Sequence, residues 1–224
     1  MDIFEFVRSF KEYSHLSDKE IFNLRELNLS RNKLTFLPES IGDLSNLKIL
    51  WLYNNQLTFL PESIGNLSNL QILSSSSNKF TSLPESIGDL SNLQILHLSG
   101  NKLTFLPESL GNLSNLKRLY LSENKLSSLP ESIGDLSNLK ELYLSRNKLI
   151  FLPESIGNLS NLQVLSLNNN QLDDQAQNVL KTLVMTNSVI TKLKTDNFDF
   201  SQELERNERK EPAPGRTTLK SVEF

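Results

Sequence analysis

The side chains most suited to catalysis lie around one of the two histidines in the chain. Ser74 stands 23 residues before His97, and Ser99 follows His97 by two residues, so a nucleophile and a base occupy related positions. No carboxylate occupies the positions next to His97 that could orient the imidazole. Because these serines belong to a repeated frame and cysteine is absent, we expect no catalysis, no metal site and no cofactor.

A second group of residues has the composition of a binding surface. Positions taken every 23 residues form three parallel lanes. The central lane contains Asn28, Trp51, Ser74, His97, Tyr120, Tyr143 and Ser166. The lane two residues earlier contains Glu26, Ile49, Ile72, Ile95, Arg118, Glu141 and Val164. The lane two residues later contains Ser30, Tyr53, Ser76, Ser99, Ser122, Ser145 and Asn168. Aromatic residues and arginine dominate the binding energy of protein interfaces, so these lanes predict an interaction surface.

The lanes must be positioned by a repeated structure. The frame LxxLxLxxNxLxxLPxSxGxLSN starts at Leu24, restarts every 23 residues, and decays after Leu172. A fixed period of this length is typical of a solenoid, in which each turn packs only on its neighbours. The LxL portion alternates and predicts a short strand with leucines inward and the lane residues outward. The predicted fold class is therefore α/β, a solenoid with one parallel sheet.

Three other residue types recur once in each turn. Asparagine follows each strand, and its amide can tie neighbouring turns together where the chain bends. Proline and, four residues later, glycine occupy the second half of the frame. Since proline breaks a sheet and glycine permits unusual backbone angles, this half is predicted to be an outer turn or short helix.

This frame resembles the leucine-rich repeat family, in its 23-residue class, over residues 24–172. The resemblance implies a curved horseshoe with a parallel sheet on its concave side, where such proteins bind other proteins. Similar sequences occur in plant intracellular Ras-group repeat proteins and in bacterial repeat proteins, including effectors delivered into host cells. The near-identical copies and the absence of a cysteine cap resemble the bacterial members more closely.

The ends of the chain depart from the frame, so we predict four segments. Residues 1–23 form a helical N-terminal cap, with an apolar face that includes Phe6 and a capping box at Ser17. Residues 24–172 are six full repeats and one partial repeat. Residues 173–200 form a C-terminal cap, with a helix that Asp173 or Asp174 caps, and residues 201–224 a flexible tail.

Two irregularities inside the repeats also lead to predictions. Ser75 takes a core leucine position and Phe80 another in the same repeat, so Ser75→Leu should stabilise the fold unless the Phe80 ring already fills the space. A phenylalanine precedes the Leu-Pro pair in four repeats, and we interpret it as edge packing, with a second binding site as the alternative.

Bulk composition limits the classes of partner. The net charge of −3 does not favour nucleic acid, and the N-terminus has neither a signal peptide nor a membrane span, so we expect no membrane partner. We expect a cytoplasmic protein, or one translocated into a host cell, that is monomeric without its partner.

The sequence thus predicts a non-catalytic module that binds another protein on its concave face. The partner could be a host protein, another effector, or an enzyme whose active site the horseshoe covers. The predicted partner-binding residues are Trp51, Tyr53, Ile49, Ile72, His97, Arg118, Tyr120, Glu141, Tyr143 and Arg146. The apolar zone consists of Trp51, Tyr53, Ile49, Ile72 and, in addition, Ile95. The charged zone consists of Arg118, Tyr120, Glu141, Tyr143 and Arg146. Between the two zones, the serines of residues 74–77 are predicted to leave a low spot. The alternatives are aromatic pairs that only stabilise the sheet, and a structural or surface-adhesion protein.

Overall fold

The computed structural model describes residues 2–187 and 189–196. Eight strands form one parallel sheet in chain order, each bonded to the next. The strands are β1 (Glu26–Asn28), β2 (Ile49–Trp51), β3 (Ile72–Ser74), β4 (Ile95–His97), β5 (Arg118–Tyr120), β6 (Glu141–Tyr143), β7 (Val164–Ser166) and β8 (Lys192–Lys194). The predicted solenoid with a concave parallel sheet is confirmed.

The register of the sheet follows the repeat. Leu27, Leu50 and Leu73 are paired across the first three strands, and the same pairing continues to Leu165. These leucines are fully buried, whereas the residues on either side of them point away from the core. A continuous apolar core therefore runs from Ile3 in the first helix to Ile190 before the last strand.

The asparagines connect adjacent turns as predicted. Asn101 is buried; its Nδ2 donates to the carbonyl oxygens of Leu98 (2.9 Å) and Ser75 (3.0 Å), and its Oδ1 accepts from the backbone N–H of Phe80 (3.1 Å). One amide thus satisfies backbone groups in its own turn and in the preceding one. Equivalent bonds recur at Asn55, Asn78, Asn124 and Asn147.

The outer half of each repeat is a short 3-10 helix that starts directly after the proline. These helices are Glu39–Asp43, Glu62–Asn66, Glu85–Asp89, Glu108–Asn112, Glu131–Asp135 and Glu154–Asn158. Our explanation for the glycine in each helix was wrong, because among the glycines of the described residues only Gly100, which lies outside these helices, has a positive φ. A Cβ on Gly88 would lie 2.3 Å from the carbonyl oxygen of Ser109 in the next turn, so glycine is required by close stacking. In the described part of the chain, no atom lies within 4 Å of the Cβ position of Gly157.

Helices cover both ends of the core. At the N-terminus, α1 (Ile3–Arg8) buries Ile3, Phe6 and Val7, and α2 (Asp18–Phe22) begins with the predicted Ser17–Glu20 capping box. At the other end, α3 (Asp174–Thr186) buries Ala176, Leu180, Leu183 and Val184. The Asp173 side chain accepts from the backbone N–H of Ala176 at 2.9 Å and so caps α3.

The sequence interpretation missed the eighth strand. β8 pairs in parallel with β7, but its sequence, Lys-Leu-Lys, has a single apolar residue and no repeat frame around it. Lysines on its exposed positions are a common protection for the last strand of an open sheet. The flexible tail predicted for residues 201–224 lies outside the described residues.

Candidate protein-binding surface

The three lanes lie side by side on the face of the sheet opposite the leucine core. Parallel register aligns the central lane across all strands, as in the pairing of Trp51 with Ser74 and of Tyr120 with Tyr143. Arg118 is exposed and Trp51 is half-buried. The other predicted strand residues are also half-buried: Ile49, Ile72, His97, Tyr120, Glu141 and Tyr143. Tyr53 lies just beyond β2, and exposed Arg146 lies beyond the end of β6.

An aromatic row forms the middle of this surface. The ring centroids of His97 and Tyr120 are 4.9 Å apart with a 44° angle between the planes. Those of Tyr120 and Tyr143 are also 4.9 Å apart, and these two rings are stacked at 9°. This separation matches the distance between neighbouring strands, so the sheet register itself positions the rings. The row is preformed and needs little rearrangement to contact a partner.

Glu141 organises the charged zone. Its Oε1 accepts from Nε of Arg118 at 3.1 Å, and its Oε2 accepts from the Tyr143 hydroxyl at 3.2 Å. Burial raises the pKa of Tyr143 to about 12, with a further contribution from the Glu141 charge. Burial also raises the pKa of Tyr120. Both phenols therefore remain protonated donors near neutral pH. Arg146, also in this zone, makes a separate ion pair with Glu123 at 2.7 Å.

The apolar zone has polar partners at its edge. The Trp51 indole Nε1 donates to Oε1 of Glu26 at 2.7 Å. The Arg31 guanidinium lies 5.6 Å from the centroid of the Tyr53 ring, within range of a cation–π contact. Neither contact was predicted from the sequence, although Glu26 and Trp51 lie on the neighbouring strands β1 and β2 and belong to two of the three lanes. The repeat pattern shows on which face of the sheet a residue lies, but it does not show in which direction a long side chain extends.

The four serines predicted to form a low spot differ in exposure, from buried Ser74 and Ser75 to half-buried Ser76 and exposed Ser77. Ser74 is 5% exposed and Ser75 is fully buried. Ser74 lies between Trp51 and His97 in the register, and these larger neighbours screen it. The low spot between the two zones therefore stays a prediction.

His97 has the environment of an interface residue. Burial lowers the pKa of its imidazole, so the ring is neutral at pH 7. Its neighbour in the structure is the Tyr120 ring.

Within residues 2–187 and 189–196, no group of three or more histidine, aspartate or glutamate side chains could hold a metal ion. No helix in the same residues is long and apolar enough to cross a membrane.

Comparison with protein families gives a clear match. The model described as "Leucine-rich repeat region" matches residues 8–97 and 85–211, which together include most of the chain. Comparison with curated protein sequences gives no match.

Several solved structures are similar to this chain. A leucine-rich repeat protein of Leptospira interrogans has 33% identity and a TM-score of 0.60, covering 84% of this chain and 60% of its own. The ectodomain of the Arabidopsis thaliana receptor kinase GASSHO1, in complex with Casparian strip integrity factor 2, has 33% identity and a TM-score of 0.60, with 78% and 24% covered. The plant peptide hormone receptor RGFR1, in complex with RGF2, has 28% identity and a TM-score of 0.64, with 79% and 36% covered. The chain thus spans less than two thirds of the length of each.

Proposed function

The chain belongs to the leucine-rich repeat family, and from this we propose that it is a non-catalytic module whose concave surface binds a partner protein. The fold is typically a binding scaffold, and the similar plant receptors were solved with peptide hormones or factors bound. The partner proposed here is a protein that presents a matching surface to the lanes of strands β2–β6. Neither a nucleic acid nor a membrane is part of this proposal.

The observation that carries the proposal is the contrast between the two sides of each strand. The leucines facing the core are the same in every strand from β1 to β7, whereas the outward positions differ from strand to strand. A scaffold requires only the inner residues to be uniform. Trp51, Tyr120 and Tyr143 on the outer side are the residue types that anchor protein interfaces.

The two zones favour a folded partner with a mixed surface. The isoleucines and Trp51 can bury apolar side chains, and the Arg118–Glu141 pair can accept or donate hydrogen bonds at the rim of the contact. Seven strands at about 4.8 Å spacing give a surface roughly 30 Å long, which suits a contact of ordinary size.

The similarity to a bacterial protein supports a more specific version of the proposal. In this version the protein acts as an effector-like regulator or inhibitor, in the cytoplasm or inside a host cell. It is monomeric when free and binds a host protein, another effector or an enzyme. For an enzyme partner, the concave surface would cover the active site and so exclude substrate.

Partner capture from candidate lysates tests the proposal. The wild-type chain is compared with Trp51→Ala/Tyr120→Ala and with the matched control Phe22→Ala, which removes an exposed aromatic ring from α2 in the N-terminal cap, outside the sheet. We expect the double variant to lose the captured partner, with an affinity at least ~100-fold weaker, and the control to retain it. Equal capture by all three proteins would contradict binding on the concave surface.

A further inference from the structure

A row of exposed phenylalanines lies outside the concave surface, at the turn that precedes each proline. Its members are Phe36, Phe59, Phe105 and Phe151, which we call the phenylalanine edge. Their exposed fractions are between 43% and 54%. Phe36 contacts the ring of Phe6 in the N-terminal cap, at 6.4 Å between centroids. Edge packing therefore accounts for only about half of each ring's surface.

Serine interrupts the phenylalanine edge in two repeats, and the structure shows what each serine leaves open. In the four repeats with phenylalanine, the proline two residues later is buried. Where Ser82 and Ser128 replace phenylalanine, Pro84 and Pro130 are partly exposed. We interpret this difference as the phenylalanine ring covering the proline of its own repeat. Where serine replaces the ring, an apolar notch is left, one at Ser82 and Pro84 and one at Ser128 and Pro130. The two notches follow Phe59 and Phe105 along the stack of turns.

The first notch is part of a defined cavity. Its volume is about 320 Å³, and its lining includes Phe59, Pro61, Ser82 and Pro84 together with the carboxylate-bearing Glu39 and Glu62. The lining thus combines apolar side chains with two carboxylates. That combination suits a side chain with an aliphatic stem and a cationic head, which means lysine or arginine.

The acidic border continues along the whole edge. One exposed glutamate follows the proline of each repeat: Glu39, Glu62, Glu85, Glu108, Glu131 and Glu154. Among the residues that the structure describes, none of the six takes part in an ion pair. Glu39 and Glu108 accept from the backbone N–H of Ser63 and Ser132, both at 3.2 Å, and these bonds leave the negative charge in place. The row can therefore attract a cationic partner, and the Phe59 ring can add a cation–π contact.

The spacing of the notches adds a constraint on the partner. Ser82 and Ser128 are two repeats apart, which corresponds to about 10 Å at the strand spacing of ~4.8 Å. In a polyproline II segment, residues three apart are separated by about 9.3 Å. Two basic side chains at positions i and i+3 of such a segment can therefore enter both notches together.

We propose that the phenylalanine edge is a second binding surface, which captures an extended segment of a partner protein carrying arginine or lysine at positions i and i+3. The stems pack on the exposed prolines and on the neighbouring phenylalanine rings, and the cationic heads bind the row of glutamates. This surface is separate from the concave one, so the two can be occupied independently.

The test is a titration of the full ¹⁵N-labelled chain with the capped peptide Arg-Pro-Pro-Arg, followed by NMR. We expect saturable shifts at the amides of Ser82, Glu85, Ser128 and Glu131. Ser82→Phe/Ser128→Phe fills both notches with the residue that the other repeats have, and should weaken binding at least ~10-fold. Glu39→Gln/Glu62→Gln keeps the shape of the first notch and removes the charge of both carboxylates that line it, and should also weaken binding.

Three controls make the result specific. Trp51→Ala should bind the peptide as the wild type does. The neutral analogue with citrulline in place of both arginines, and the longer Arg-Pro-Pro-Pro-Pro-Arg, should both bind more weakly. Unchanged binding by both double variants, equal binding of the longer peptide, or no saturable shift would overturn the proposal. Self-association that Ser82→Phe/Ser128→Phe abolishes would assign the edge to a second copy of the chain and would also overturn it.

Discussion

At the scale of single residues, the third repeat differs from the others in two core positions that act together. Ser75 is fully buried, and its hydroxyl has no hydrogen-bond partner among the residues that the structure describes. Phe80, also fully buried, takes the position of a smaller leucine, and the backbones of both residues bond to Asn101. An unpaired buried hydroxyl is costly. We interpret the Phe80 ring as the group that fills the space left by the smaller Ser75.

We therefore expect Ser75→Leu alone to overpack the core and to destabilise the fold by about 1–3 kcal/mol. Phe80→Leu alone should destabilise by leaving a cavity. The double variant, which has the leucines of the other repeats, should be at least as stable as the wild type. Denaturant unfolding of the four proteins measures this coupling. A single variant Ser75→Leu that is more stable than the wild type would show that the Phe80 ring leaves the space empty.

His97 gives a residue-scale prediction that depends on pH. Burial lowers its pKa below the ordinary value of 6.5, so the unfolded chain takes up a proton before the folded chain does. The free energy of unfolding should therefore decrease as the pH falls from 6.5 to the lower pKa that His97 has in the folded chain.

The measurement compares the free energy of unfolding at pH 7 and pH 5 for the wild type and for His97→Gln. Acidification lowers the stability of both proteins through other groups, but it should lower that of the wild type more. Identical losses would mean that His97 titrates in the fold as it does in the unfolded chain.

At the scale of elements, the outer 3-10 helices depend on how closely successive turns approach. A Cβ on Gly88 would meet the Ser109 carbonyl oxygen at 2.3 Å and its Cβ at 2.8 Å. Backbone atoms cannot move aside cheaply, so Gly88→Ala should destabilise by about 1–3 kcal/mol or more. Gly157→Ala has the same change in sequence with open space around it, and should stabilise by about 0.4–1 kcal/mol.

Melting temperatures of these two variants test the stacking explanation. Similar destabilisation by both would indicate that the glycines are needed for their backbone conformation after all. A neutral Gly88→Ala would indicate that the turns are farther apart than the structure shows.

At the scale of the whole molecule, the repeat frame determined most of the fold in advance. The inward leucines, the asparagine bonds and the outer turns follow from the period, because every turn must bury the same apolar side chains against its neighbours. β8 was missed because its Lys-Leu-Lys sequence carries no frame and is positioned by its pairing with β7 and by the packing of Leu193 on the core. The role of glycine was misread because it depends on the distance between two successive turns, whereas the sequence of one repeat shows only which residues each turn contains.

The candidate surface was predictable in outline and not in detail. Strand alternation and register place Trp51, Tyr120 and Tyr143 on the outer face. The alternation and the 23-residue period that sets the register can both be read from the sequence. The Trp51–Glu26 bond, the screening of Ser74 and the two notches depend on side-chain direction and on the size of neighbours. These quantities are decided by packing, which a repeat pattern does not encode.

Site-specific photo-crosslinking tests the central claim of a concave binding surface most directly. A benzoylphenylalanine is placed either at Ser99, beside the aromatic row, or at Asn112 on the outer turn of the same repeat, and each protein is irradiated with its captured partner. We expect the partner to be crosslinked from Ser99 and not from Asn112. Crosslinking from Asn112 alone would place the partner on the outer side of the solenoid and would contradict the account.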